Sequence, residues 1–385
     1  MFHRILNPLK SNSFFIFGAR GTGKSTWIKN QFDAQDVFFI DLLKPEIEDL
    51  YRRTPQLLEK QILSMESKPN WVVLDEVQRL PKLLNLVHSL IESHGIKFIL
   101  TGSSARKLKR GHGNLLAGRA YVYHLYPLTS IEMGESFHLE SCLLWGSLPK
   151  ILSLNSHEEK SAYLNAYALT YLREEIQIEQ VVRKLDPFRD FLEIAALMSG
   201  CIINYNKIAK DVGCDIKTVQ SYYQILEDTW LGFYLPAFHR SVRKSQRLHP
   251  KFYFFDLGVK RALERSLDTQ LHPSTSAYGD FFESWVILEF FRWNEYYQKN
   301  YKLSYFQTHQ GGEIDLILSK PKQPPILVEI KSSQKIDEIE VNKLATRGKD
   351  FKTPHLYYLS QSEQTIKHAG VICCPWMTGL KKILG

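Results

Sequence analysis

Five short apolar runs punctuate the first 135 residues, and each gives way to a stretch with helical period. They are "SFFIF" (Ser13 to Phe17), "FFID" (Phe38 to Asp41), "WVVL" (Trp71 to Leu74), "KFIL" (Lys97 to Leu100) and "AYVYHL" (Ala120 to Leu125). Strands alternating with helices predict a parallel sheet of about five strands, with ligands at the strands' carboxyl ends. The pattern then turns helical. Aromatic and leucine residues from Glu158 to Glu179 fall at helical spacing, as a packed helix requires. Beyond Phe188 the chain predicts three helices, the last two being Tyr205 to Val212 and Ile216 to Asp228, with Gly213 at the turn. That spacing is that of a helix-turn-helix, and "WLGFYLPAFHRS" runs on into an extended wing. Near the end, Tyr278 to Trp293 reads as an amphipathic helix. Alternation over Ile314 to Leu318 and Ile326 to Ile330 predicts two strands joined by a Lys/Pro turn.

Composition narrows the class. The chain has 385 residues, 44% hydrophobic and 23% charged, enough for two or three domains with their own cores. A formal net charge of +8 favours a polyanionic partner. Five cysteines without CxxC spacing fit reduced thiols in a cytoplasmic protein. The N-terminus lacks a signal-peptide core, and no stretch approaches the roughly 20 apolar residues of a membrane span, so no membrane is expected.

The candidate chemistry begins after the first apolar run. "GARGTGKS" (Gly18 to Ser25) fits G-x-x-x-x-G-K-S between a strand and a helix. Gly18, Ala19, Arg20, Gly21, Thr22 and Gly23 would wrap ATP phosphates with backbone N–H groups, continued by Lys24, Ser25 and Thr26. Lys24 would reach the β- and γ-phosphates, and Ser25 would bind Mg²⁺ together with Asp75 at the end of "WVVLD". Glu76 is then the natural base for the attacking water. Ser103 or Ser104, after the fourth run, would sense the γ-phosphate. Arg119 would be a finger completing a neighbour's site, a sensor in its own subunit, or a plain surface arginine.

These motifs resemble the AAA-type P-loop ATPases of the branch called archaeal-type. The resemblance continues through "WGSLPKI", where it implies that Gly146 and Pro149 lie near the adenine. It also implies a homo-oligomer, with a ring such as a hexamer as the usual form.

Two further constellations would meet DNA. On the helix-turn-helix, Lys217, Thr218, Gln220 and Ser221 would face a groove, and Arg240, Arg243, Lys244 and Arg247 in the wing suit phosphate contacts. A basic run, Ala105 to Asn114, would be a mobile loop touching substrate or plain solvated surface. In the tail, Asp315 and the Glu329-x-Lys331 pair would sit at neighbouring strand ends, with Glu283 as a third oxygen ligand for a divalent cation. That ordered set is similar to the restriction-endonuclease-like core of many nucleases. The whole chain resembles a large prokaryotic family that joins such an ATPase to a C-terminal region of poorly defined function. The expected organisation is a P-loop ATPase core (1–135), a helical connector (136–185), a winged helix-turn-helix (186–255) and a restriction-endonuclease-like α/β domain (256–385). Three readings stay open: an ATPase that remodels or moves along DNA, a nucleotide-controlled switch or scaffold, and an ATP-gated nuclease.

Overall fold

A computed structural model describes residues 2–104, 116, 118–171, 185–239, 241, 245, 248–308 and 311–385. The five apolar runs form strands β1 (Ser13–Phe17), β2 (Val37–Asp41), β3 (Trp71–Asp75), β4 (Lys97–Gly102) and β5 (Ala120–His124). They make one sheet in the order β2-β3-β4-β1-β5, parallel throughout. Successive side chains of a strand face opposite ways, so one strand feeds two cores. Phe15 and Phe17 enter a cluster with Leu74, Phe98 and Leu100, whereas Phe14 and Ile16 join Trp27, Val73 and Ile99 on the other face. Register sets Phe17 beside Gly102 and His124, which brings the carboxyl ends of β1, β4 and β5 to one level.

The segment predicted helical from Glu158 starts as helix His157–Ala166, capped by Ser156 and Glu159, and passes into a π-helical turn, Tyr167–Tyr171. Its remainder lies outside the described residues. Helix Leu185–Leu197 follows, then Tyr205–Val212 and Ile216–Asp228 at the predicted bounds. Asn204 caps the first of this pair and Asp215 the second, each accepting a backbone N–H, and Gly213 turns between them at φ 71. A left-handed backbone of that kind suits glycine. β6 (Gly232–Leu235) and β7 (Lys251–Phe254) then pair antiparallel as a two-stranded ribbon, where the sequence predicts an extended wing.

The tail is built on helix Ser276–Tyr296 and a six-stranded sheet. β8 (Lys302–Gln307), β9 (Glu313–Ser319) and β10 (Ile326–Ile330) run antiparallel in turn. Helix Glu338–Gly348 crosses back to β11 (His355–Ser360), which lies parallel to β10. β12 (Ile366–His368) and β13 (Val371–Pro375) extend the edge before the final helix, Trp376–Leu384.

Helix Ser276–Tyr296 departs from expectation. It is longer than the predicted Tyr278 to Trp293 and has no solvent face of the amphipathic kind. Glu289, Arg292 and Asn294 are buried along with Trp285, Val286 and Phe290. One side packs on the tail sheet; the other presses on the segment after β5. There Glu289 accepts from Ser130 N (3.1 Å) and Ser130 Oγ (2.5 Å). Arg292 donates to Leu128 O (3.0 Å), Ser147 Oγ (3.1 Å) and Phe255 O (2.8 Å). Polar residues that read as surface in the sequence are internal partners, which is what makes their burial affordable. Among the described residues, no helix is long and apolar enough to cross a membrane.

Candidate active site

The chain leaves β1 at Phe17 and turns at once. A Cβ at Gly18 would stand 2.2 Å from Leu125 O, so only glycine passes there. Gly23, at φ 93, opens helix Lys24–Gln31 without any side-chain cap. The first amides of that helix have no intrahelical acceptor, and they front a cleft of about 470 Å³. The loop itself is braced. Thr22 Oγ1 donates to Ala19 O (2.9 Å), Tyr167 OH to Arg20 O (2.8 Å) and Arg4 Nη1 to Thr22 O (2.9 Å).

Lys24 Nζ donates to Gly18 O (2.8 Å) and Ala19 O (3.2 Å) and lies 3.8 Å from Glu76 Oε1. Ser25 Oγ donates to Asp75 Oδ2 (2.6 Å), and Thr101 Oγ1 to Asp75 Oδ1. Burial raises the Asp75 carboxyl above its ordinary value, with the Ser25 and Thr101 hydrogen bonds pulling the other way. Burial acts upward on Glu76 too, but the Lys24 ammonium and hydrogen bonds from Gln78 and Ser103 outweigh it and hold that carboxyl low. Glu76 is therefore an anion facing a cation across the cleft. A hydroxyl and a carboxylate side by side are hard oxygen donors, so Ser25 and Asp75 fit Mg²⁺.

The predicted loop residues, Asp75, Glu76 and Ser103 are thus brought together, and Pro149 stands at the rim of the same cleft. Thr26 lines it, whereas Ala19 is buried beneath it. Ser104 is buried beyond Ser103. Gly146 serves packing. A Cβ there would meet Asp256 Oδ1 at 2.1 Å, and Asp256 Oδ2 accepts from Ser147 N at 2.7 Å. Arg119 is not in the cleft. It precedes Ala120, which pairs with Ser13, about 13 Å along β5 from the level where the loop departs. Its guanidinium bonds Glu92. A sensor role within its own subunit does not suit that position, which leaves the finger for a neighbouring chain or the surface arginine. Sequence reading passed over Arg4, Thr101 and Gln78. Thr101 had a signal, a hydroxyl directly after the apolar run Lys97 to Leu100, but Arg4 had none, because its partners Thr22, Tyr126, Glu132 and Tyr296 all lie well beyond any local motif.

In the tail, Glu283, Asp315, Glu329 and Lys331 also gather. Lys331 Nζ lies 2.6 Å from Glu329 Oε1 and 3.7 Å from Asp315 Oδ2, which accepts from Ile330 N (2.7 Å). Glu283 Oε1 accepts from Tyr253 OH (3.1 Å) and lies 3.6 Å from Lys251 Nζ, which also pairs with Glu313. Arg347 approaches Glu329 Oε2 at 3.7 Å. Burial, then the Asp315 charge, pushes Glu329 up to about 8 and Glu283 up to about 7. Burial alone would lower Lys251 and Lys331, yet their carboxylate partners raise both. The cluster is a network of ion pairs. The four side chains expected at this site lie together: the Asp315 charge acts on both Glu283 and Glu329, and Lys251 and Lys331 are paired among the carboxylates. Among the described residues no group of three or more His, Cys, Asp or Glu is placed to hold a metal ion. Of the expected DNA contacts, Lys217 is exposed on helix Ile216–Asp228 with Gln220 and Ser221, while Thr218 is tied to the Asp215 cap. Arg240, Arg243, Lys244 and Arg247, like Ala105 to Asn114, lie outside the described residues.

Residues 10–134 match the family model described as AAA domain, residues 136–270 a domain of unknown function (DUF8612) and residues 278–378 another (DUF4143). An uncharacterized protein of Mycobacterium tuberculosis is 24% identical over 272 residues, covering 69% of this chain and 60% of that protein. One of Haemophilus influenzae is 21% identical over 271 residues, covering 64% of this chain and 68% of its own. The matched region is thus about three fifths of the mycobacterial relative's length. The N-terminal third is similar to AAA-type P-loop ATPases, and its all-parallel five-stranded sheet agrees with that likeness.

Proposed function

We propose that this chain is a Mg²⁺-dependent ATPase acting on DNA, and that its winged helix and tail meet the nucleic acid. The observation that supports hydrolysis most is the single cleft shared by Lys24, Ser25, Glu76 and Ser103, with Asp75 hydrogen-bonded to Ser25 beneath it. The uncapped helix start and the loop amides would receive the phosphates. Lys24 would exchange the Gly18 and Ala19 carbonyls for β- and γ-phosphate oxygens. Ser25 and Asp75 would hold Mg²⁺, which neutralises phosphate charge when bound. Glu76 would take a proton from water as its oxygen attacks the γ-phosphorus, and the bond to the β-phosphate oxygen would break with its electrons leaving on ADP.

The tail's αβββαβ order of helix Ser276–Tyr296, β8, β9, β10, helix Glu338–Gly348 and β11 supports the restriction-endonuclease-like reading of its shape. We read the tail as gripping DNA rather than cutting it, because Lys251 and Lys331 already engage the carboxylates that a catalytic cation would need. The exposed Lys217 and the formal charge of +8 support a DNA partner. Arg119, bonded to Glu92 and outside its own cleft, supports assembly into a ring in which it serves the next chain.

The test is steady-state ATP hydrolysis with Mg²⁺, alone and with single-stranded, duplex and four-way-junction DNA, using Lys24→Ala as the blank. Stimulation by one form supports the proposal. Equal rates with all three and with none would sink the DNA part, and nicked product on a gel would return the tail to the nucleases. One observation favours a nucleotide-controlled switch as second reading: Arg4 bonds both the phosphate loop at Thr22 O and the tail helix at Tyr296 OH (3.1 Å). That reading predicts a change of oligomer mass between ADP and ATP without DNA.

A further inference from the structure

Glu76 does not stand alone at the end of β3. Its backbone is left-handed (φ 60), an uncommon state for a residue with a side chain, and its carboxylate is held from two sides. Gln78 Nε2 donates to Glu76 Oε2 and also, at 2.9 Å, to Ser103 Oγ, which itself lies 3.2 Å from the same carboxylate oxygen. One amide therefore joins the acid after β3 to the serine after β4. Gln78 is only 6% exposed, yet it forms part of the cleft wall together with Lys24 and Glu76.

The other end of that amide marks how firmly it is placed. Gln78 Oε1 is buried and has no hydrogen-bond partner among the described residues. An unmet buried acceptor is costly, so the donations from Nε2 must more than offset it. Oε1 also lies 2.8 Å from where a Cβ at position 102 would be, so a side chain larger than glycine there would push the amide from this position. Without the tie, Glu76 has an obvious alternative. Lys24 Nζ is already 3.8 Å from Oε1, and a freely turning carboxylate would close on the ammonium and occupy both groups. Gln78 holds Oε2 back and leaves Oε1 facing the cleft.

We propose that Gln78 is a positioning residue for ATP hydrolysis: it fixes Glu76 against Ser103, so that Oε1 is free for the attacking water once phosphate has drawn Lys24 away. This rests on the ATPase reading above. Gly102 is part of the same device, because it makes room for the amide.

The experiment compares Mg²⁺-ATP turnover and nucleotide affinity of the full chain with those of Gln78→Ala, Gln78→Glu and Gly102→Ala, with Lys24→Ala as blank. Gln78→Ala and Gly102→Ala should each lower kcat about 10- to 100-fold, a fraction of what a general base supplies. KM and the Kd of a fluorescent ATP analogue should stay within about twofold, since no phosphate contact is lost. Gln78→Glu should be slower than Gln78→Ala, because it removes both donors and adds a like charge beside Glu76. A wild-type rate no higher than the Lys24→Ala blank would remove the ATPase reading itself. Wild-type turnover with unchanged kcat in Gln78→Ala would overturn the positioning role alone, as would a loss of nucleotide affinity matching the loss of rate. Intact analogue binding by Gln78→Ala keeps the test decisive if Gly102→Ala fails to fold.

Discussion

At the cleft, small changes of single atoms should separate binding from turnover. Glu76→Gln keeps the side chain's shape and its Ser103 neighbour but cannot take a proton. ATP binding should persist, measured by fluorescent-analogue titration, while turnover falls about 10²- to 10⁴-fold. Chelation of Mg²⁺ should abolish hydrolysis in the wild type, and Ser25→Ala should raise the Mg²⁺ concentration needed for half-maximal rate, since Asp75 would lose one oxygen partner. An unchanged Mg²⁺ requirement in Ser25→Ala would place the ion elsewhere. How far these residues could be read in advance follows from what each depends on. Gly18, Lys24, Ser25, Asp75 and Glu76 are set by neighbours one or two positions away, so a short motif carries them. Gln78 was overlooked because its task lies in reaching Ser103, a contact across strands. Arg4 depends mostly on chain that folds back from more than a hundred residues later, at Tyr126, Glu132 and Tyr296, besides the phosphate loop at Thr22.

Among the elements, helices Tyr205–Val212 and Ile216–Asp228 were legible to the residue because both announce their starts. Asn204 and Asp215 are N-caps, and Gly213 supplies the turn. Asp215→Ala should remove this N-cap and lower the urea midpoint with unchanged slope. The long helix Ser276–Tyr296 was misjudged for the opposite reason. Helical period reports which residues are apolar, and Glu289 and Arg292 satisfy one another's surroundings inside the protein, which no periodicity records. Glu289 also gives this helix a pH signature. Burial first of all raises its carboxyl from 4.5 to about 7. The folded state then holds the proton more tightly than the unfolded state does. Stability from this group is complete below about pH 4.5 and declines as pH rises towards 7, by about 3 kcal/mol in all. Denaturant midpoints taken from pH 5 to 8 should show that decline in the wild type and a shallower one in Glu289→Gln. Parallel curves would mean that Glu289 is ionised throughout.

For the molecule as a whole, the same helix joins the ATPase sheet to the tail. Its buried charges make the joint unforgiving: Arg292→Met should cost about 3–5 kcal/mol by leaving Glu289 without its cation 3.7 Å away. Adding Glu289→Gln should recover part of that loss, so the double variant is more stable than the sum of the single ones predicts. Additive effects in thermal melts would show that the two side chains act separately. One hydrophobic cluster draws on Leu128 and Leu143 behind the ATPase sheet, Phe233 and Tyr253 in the hairpin, and Trp285, Leu316 and Leu380 in the tail. The stretches similar to three separate families, ending and beginning near residues 134, 136, 270 and 278, therefore share an interior. Recombination at those seams would give each daughter gene half of a core. Descent should keep the three segments in one reading frame, and substitutions at Ser130, Glu289 and Arg292 should be inherited as a set.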